Sequence, residues 1–143
     1  MKKLLIFVLS LTLSLSIKAQ TEQQLKKWMP VINAIAQVES GGNPKAVSRS
    51  GTYVGLLQMA PICVAECNRI VGHKKFTNQD RYSKEKSIEM FIVFQEHHNP
   101  EGDMEKAIRL WNSGDRNCMQ HKSRTEGYYR KVMSKYNPEP NES

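Results

Sequence analysis

The chain lacks the marks of a β protein, a membrane-spanning protein, a nucleic-acid binder and a metal protein. No internal repeat and no strand-like alternation stands out along its 143 residues, which leaves helical periodicity as the organising pattern. Its one long apolar run, from Leu4 to Leu15, is too short for a comfortable membrane span. The lysines and arginines are scattered, not gathered into a basic stripe, so no nucleic acid is expected as a partner. No histidine sits at ligand spacing from the cysteines, and neither a metal nor a cofactor is expected. There are only three cysteines, an odd count that allows at most one internal bridge. Cys63 and Cys67 lie four apart on a predicted helix, an awkward geometry for a bridge between them. Either Cys118 pairs with one of them, or all three are buried thiols.

What is present begins with a leader. Lys2 and Lys3 form a positive start, Leu4 to Leu15 is almost wholly apolar, and the small Ala19 follows. That is the pattern of a secretory signal peptide over residues 1–19, with the mature chain starting at Gln20 in the periplasm or outside the cell. Gln20, not a cysteine, stands directly after the cleavage point, which argues against a lipid anchor. The whole chain carries a formal charge of +7, and loss of Lys2, Lys3 and Lys18 with the leader leaves +4. A mildly basic surface fits an anionic polymer such as a cell wall.

The rest reads as one all-α domain, residues 20–136, with a frayed tail at 137–143. A short helix start covers Thr21 to Trp28, and Pro30 suits the first turn of the next helix. Trp28, Ile32, Ile35 and Glu39 fall at i, i+4, i+7 and i+11, so Glu39 continues an apolar stripe. A carboxyl on such a face is costly to ionise and its pKa should rise, as a general acid working near neutral pH requires. Gly41-Gly42-Asn43-Pro44 ends that helix, and a polar loop follows. Further helices are predicted over Leu56 to Val71, from the Ser83 cap to about His98, over Asp103 to Trp111, and over Thr125 to Tyr136. The adjacent His97 and His98 read as a helix terminus, where positive charge is favoured, and not as ligands.

Four segments in order carry a resemblance. ESGGNPKAVS followed by GLLQM, then PICVAECNRI, AIRLWNSG and TEGYYRKVM, resembles the motif set of the soluble lytic transglycosylases, which share the lysozyme-like fold. The likeness runs from about Val31 to Tyr136. It implies a helical lysozyme-like domain with little or no sheet and a glycan cleft. It implies action on peptidoglycan: one Glu protonates the bridging oxygen between N-acetylmuramic acid and N-acetylglucosamine, then takes the proton from the sugar's 6-hydroxyl, leaving a 1,6-anhydro end. No second enzyme carboxylate is needed, unlike the usual two-acid glycosidases. Glu66, Asp80, Asp103 and Asp115 have no motif context that marks them as one.

Carried over by motif, Glu39 is the acid and base, and Ser40 helps hold the helix end. Ser48 lies in the loop that touches the reacting sugar. Gln58 and Met59 line the sugar-binding wall, Asn112 the cleft floor, and Tyr128 sets its hydroxyl near Glu39. Two choices stay open. Tyr129 competes with Tyr128, and the Ser48–Gln58 spacing is one residue longer than usual, so Ser50 could stand in for Ser48. Trp111 replaces the usual Tyr, which keeps a surface for packing or stacking on sugar and loses a hydroxyl. A monomer working on glycan strands is expected, and the small size, with no extra wall-binding domain, points to an envelope protein complex as a further partner. Competing readings are a muramidase, which would hydrolyse the same bond, and a wall-binding module without activity.

Overall fold

The computed structural model describes residues 2–138, without the side chains of 2–13, 15 and 17. Five α-helices carry the fold: α1 (Lys2–Ser40), α2 (Pro61–Val71), α3 (Lys84–His98), α4 (Met104–Ser113) and α5 (Glu126–Met133). Two 3₁₀ turns, Asn78–Tyr82 and Lys122–Thr125, precede α3 and α5. The described residues contain no strand, only the isolated bridges Val47–Val54 and Val54–Met59, so the all-α reading holds. No described helix is long and apolar enough to cross a membrane. Most side chains of the leader, and residues 139–143 of the expected tail, lie outside the described residues.

The core forms around the second half of α1. Trp28, Val31, Ile32 and Ile35 are fully buried, and they meet Met90 and Phe91 of α3, Ile108 of α4 and Val132 of α5. Each such side chain contributes about 1.5–3 kcal/mol by leaving water. The Trp28 indole stands edge-on to Phe91 at 5.9 Å between centroids. Its Nε1 donates to Glu96 Oε1 at 2.6 Å, which ties α1 to α3.

Several boundaries differ from those read in the sequence. Pro30 does not divide α1, which runs through it unbroken. Proline's fixed φ is already helical, so the loss is one backbone hydrogen bond, and the buried side chains on both sides of it offset that loss. Helix α2 begins at Pro61, five residues after the expected Leu56. Gly55 at φ 83° and Gln58 at φ 49° take left-handed conformations that a helix does not allow, and Met59 pairs back onto Val54. Pro61 then occupies the first helical position, where its missing N–H costs nothing. Helix α5 stops at Met133, three residues before the expected Tyr136, and Met133 is exposed. The expected caps Ser83 and Asp103 do receive the backbone N–H groups of Lys86 and Lys106. All three cysteines are free, with Cys67 and Cys118 buried and Cys63 half-buried.

Two buried arginines hold what the helices leave irregular. Arg81 donates through Nη1 to the carbonyls of Thr52 and Met59, at 3.1 and 3.0 Å, and so staples the loop before α2. Arg109, 2% exposed, bonds Glu105 on its own helix, Glu126 of α5, the Thr125 hydroxyl and the Lys122 carbonyl. Its guanidinium also lies 4.4 Å from the Tyr129 ring centroid. These contacts fix how α5 leaves α4.

Gly55 is the tightest point of the loop: a Cβ there would stand 1.8 Å from the Arg81 carbonyl oxygen. Gly51, at φ 75°, has nothing within 4 Å of the same position. In urea unfolding, Gly51→Ala should cost about 1–2 kcal/mol, from its backbone angle alone. Gly55→Ala should cost about 3 kcal/mol or more, because backbone atoms must also separate. Equal losses at the two sites would show that the close approach is relieved cheaply.

Candidate active site

Glu39 is the penultimate residue of α1, half-buried at the point where the apolar stripe meets a cleft of about 410 Å³. The helix stops one residue later because Gly41 and Gly42, at φ 62° and 80°, turn the chain. Their N–H groups return to the carbonyls of Gln37 and Ala36, closing the end of α1. Ser40 secures this end with a hydrogen bond from its hydroxyl to the Leu56 carbonyl at 2.7 Å. The end of α1 is thereby joined to the turn that precedes α2.

The Tyr128 hydroxyl donates to Glu39 Oε1 at 2.6 Å. Burial lifts the Glu39 carboxyl above its ordinary pKa, and the Tyr128 hydrogen bond draws it part of the way back. Burial and the neighbouring Glu39 charge push the Tyr128 phenol far up, so it remains a donor at every working pH. Among the described residues, Oε2 of Glu39 receives no hydrogen bond, so it is the oxygen free to carry and deliver a proton. Tyr129, one step along α5, packs on Arg109 instead. The two tyrosines therefore occupy different settings.

Ser48, Gln58 and Asn112 line the cleft with Glu39. Ser48 receives the Tyr53 N–H on its hydroxyl at 3.1 Å, and Ser50 lies behind it at 3.2 Å between hydroxyl oxygens. Gln58 sits in the left-handed turn and not on the helix start. Its Nε2 donates to the carbonyls of Ala46 and Gly55, at 3.3 and 3.0 Å. With both amide hydrogens committed, Gln58 offers a ligand its acceptor oxygen. Asn112 projects from α4, exposed, and its amide has no partner among the described residues. Met59 does not belong to the wall: it is 1% exposed and packs in the core. The Val54–Met59 bridge points its side chain inward, where the motif reading expected it to face sugar.

The motif reading passed over Tyr53. It lines the cleft and is 50% exposed, an aromatic face on the rim. Its only signal in the sequence was an aromatic residue in an otherwise polar loop. Trp111 forms the opposite part of the lining, anchored by its Nε1 to the Leu57 carbonyl at 3.3 Å. The cleft lining contains one carboxylate, Glu39. The acids that might have partnered it have other attachments. Asp80 closes a capping box with Thr77, and Asp103 caps α4. Asp115 receives the Asn117 N–H at 2.8 Å, and Glu66 is held by Arg69 and His98. Among the described residues no cluster of side chains is arranged to hold a metal ion.

A half-buried carboxyl of raised pKa thus stands in a cleft with amide and aromatic walls on an all-helical scaffold. The family model for the Transglycosylase SLT domain matches residues 15–134, and the chain belongs to that family. Membership implies a transglycosylase with peptidoglycan as its substrate. No curated protein and no solved structure matches the chain significantly.

The raised pKa of Glu39 has a consequence for stability. In the folded state the carboxyl holds its proton to higher pH than in the unfolded chain, so its contribution to stability is complete below the unfolded value and falls as pH rises through the folded one. Glu39→Gln removes that loss and leaves an oxygen for Tyr128. Thermal unfolding should show the variant at least as stable as the parent at pH 7 to 8, with the gap closing below about pH 4. A variant less stable at pH 8 than at pH 4, relative to the parent, would contradict the assignment of the shift to burial.

Proposed function

We propose that the chain is an exported lytic transglycosylase that cleaves the β-1,4 bond between N-acetylmuramic acid and N-acetylglucosamine in peptidoglycan, with Glu39 as acid and then base. The observation that carries this reading is the pairing of Glu39 with Tyr128 at 2.6 Å in a cleft lined by no other carboxylate. A two-acid glycosidase needs a second carboxyl about 5–9.5 Å away, as nucleophile or as base for water. With one carboxyl, the substrate must supply the second nucleophile.

The steps follow from that constraint. Glu39 enters as the acid, and burial favours its protonated form. The proton on Oε2 passes to the bridging oxygen as the bond from that oxygen to the anomeric carbon breaks. The N-acetyl carbonyl of the muramic acid supports the cationic anomeric centre. Glu39, now a carboxylate, accepts the proton of the 6-hydroxyl, whose oxygen bonds to the anomeric carbon. The products are a new 4-hydroxyl end and a 1,6-anhydro end, with Glu39 protonated again and no water consumed. Tyr128 stabilises the transient carboxylate through Oε1. Ser48, the Gln58 acceptor and the free Asn112 amide supply polar contacts to the sugars, and Tyr53 and Trp111 give them aromatic faces.

Mass spectrometry of sacculi digested with the protein should show anhydro ends. Products heavier by one water would make the protein a muramidase. Glu39→Gln should lose cleavage by about 10²–10⁴-fold, the usual weight of a general acid or base. Full cleavage by that variant would leave Glu39 without the role. Export is read from the N-terminus of the protein recovered outside the cytoplasm, expected at Gln20; an intact Met1 there would refute the leader.

Tyr128→Phe removes the hydrogen bond that lowers the Glu39 pKa. The alkaline limb of kcat/KM should therefore move to higher pH while the maximum rate falls. A limb that moves to lower pH would mean that Tyr128 does not stabilise the charged form.

A further inference from the structure

Arg109 grips the chain on both sides of Tyr128. Before it, the guanidinium donates to the Lys122 carbonyl at 2.8 Å, the Thr125 hydroxyl at 3.0 Å and Glu126 Oε2 at 2.7 Å. After it, the guanidinium lies 4.4 Å from the Tyr129 ring centroid. Tyr128 is therefore bracketed by contacts to one side chain of α4, although Arg109 does not itself line the cleft.

The two helices that this side chain joins are held very unequally without it. Helix α4 buries Ala107, Ile108 and Leu110, and the Ala107 carbonyl receives Gln95 Nε2 of α3 at 3.2 Å. Trp111, further along α4, is anchored on the Leu57 carbonyl. Helix α5 has eight residues, and Val132 is its one buried residue. A helix this short is not kept by its own backbone bonds. Loss of the Arg109 contacts should therefore displace α5 and leave α4 in place.

The bond to Glu39 is what such a displacement reaches first. An O–H···O bond spans about 2.5–3.0 Å and weakens steeply as it bends, so the 2.6 Å contact from Tyr128 tolerates little movement of α5. No other charged group near Arg109 replaces its grip. Glu126 is also held by Arg130 Nε at 2.9 Å, but that pair lies within α5 and does not fix where α5 sits. Glu105 receives Arg109 Nε at 2.8 Å and Lys122 Nζ at 3.0 Å, on the side away from α5. None of these four charged side chains lines the cleft with Glu39.

We propose that Arg109 is a positioning residue for the reaction: it sets Tyr128 against Glu39 and acts on the proton transfers only through that phenol. This rests on the reading of Glu39 as acid and base. A guanidinium donates in several fixed directions at once, which a lysine ammonium does not. Arg109→Lys keeps the charge and loses the fork, so it separates geometry from charge.

Two measurements test this. The first needs no turnover: the Glu39 carboxyl is titrated by carbon NMR in the parent, in Arg109→Lys, in Tyr128→Phe and in the double variant. Tyr128→Phe removes the hydrogen bond that lowers the Glu39 pKa, so its titration moves to higher pH. Arg109→Lys should move it the same way, and the double variant should titrate where Tyr128→Phe alone does. The second is kinetic, on glycan strands. Arg109→Lys should lower kcat by about 10–10²-fold, the range of a small misplacement, with KM little changed and no further loss in the Tyr128→Phe background. Glu126→Gln alters a side chain 40% exposed, so it should fold even where Arg109→Lys does not, and it should shift the Glu39 titration in the same direction by less. A titration unmoved in these variants overturns the inference. So does a double variant that loses more than Tyr128→Phe, because Arg109 would then act on the fold or through another residue. A parent protein that cleaves no glycan overturns the reading of the cleft, and with it any role in the reaction, a result distinct from an unmoved titration.

Discussion

The hydrogen bond from Tyr128 to Glu39 joins residues 89 positions apart, and the remainder of the fold can be understood as what makes it possible. One partner lies at the end of the most deeply packed helix, the other on the shortest. Neither helix places its residue alone. The end of α1 is fixed by the core around Trp28, Ile32 and Ile35 and by the Ser40 bond to the Leu56 carbonyl. The start of α5 is fixed by Arg109, whose guanidinium reaches Glu126, Thr125 and Lys122. A buried arginine with this many partners is costly to break and has few alternative arrangements. It is well suited to holding an eight-residue helix whose own backbone bonds would not keep it formed.

In the proposed mechanism, the same bond would let one carboxyl serve two proton transfers. Burial favours the neutral form, which suits the first transfer, and the phenol favours the charged form, which suits the second. The two influences act in opposite directions on the one carboxyl. The phenol's own pKa is driven up by the same burial and by Glu39, which keeps it from competing for the proton. Perturbed ionisable groups that meet at a cleft are a mark of functional sites.

Around this pair the loop from Gly41 to Ala60 is held by its own backbone turns and by side chains that reach its remaining carbonyls. Gln58, Ser40 and Arg81 each donate to its backbone carbonyls, and Gly55 allows the Arg81 carbonyl to come close. Carbonyls that the backbone turns leave over need such donors when they are buried. Trp111 extends the arrangement outward. It is tied to the Leu57 carbonyl, packs tilted against Phe91 and edge-on to Phe94, and lines both the cleft and a second cavity beside it. A tryptophan makes these contacts with more apolar surface than the tyrosine usual at this place in the family motif.

The sequence determined the helical class, the caps Ser83 and Asp103, and the continuation of the α1 stripe to Glu39, because each is set by local spacing or by a neighbouring side chain. The ordered motifs also led to Ser48, Gln58, Asn112 and Tyr128, which the structure gathers round Glu39. Helix boundaries were less legible. Pro30 reads as a break, yet it lies inside α1, because core packing outweighs one lost hydrogen bond. Leu56 to Ala60 has the apolar content of a helix start, yet two left-handed residues bend it into a turn. Met59 reads as a wall residue beside Gln58 and instead points into the core, while Tyr53 reads as loop and instead faces the cleft. In each case the direction of the side chain depends on backbone angles set by distant partners, chiefly Arg81. The choice between Tyr128 and Tyr129 was likewise open in one dimension. Only the packing of α5 against both α1 and Arg109 turns one ring to the carboxylate and the other to the guanidinium.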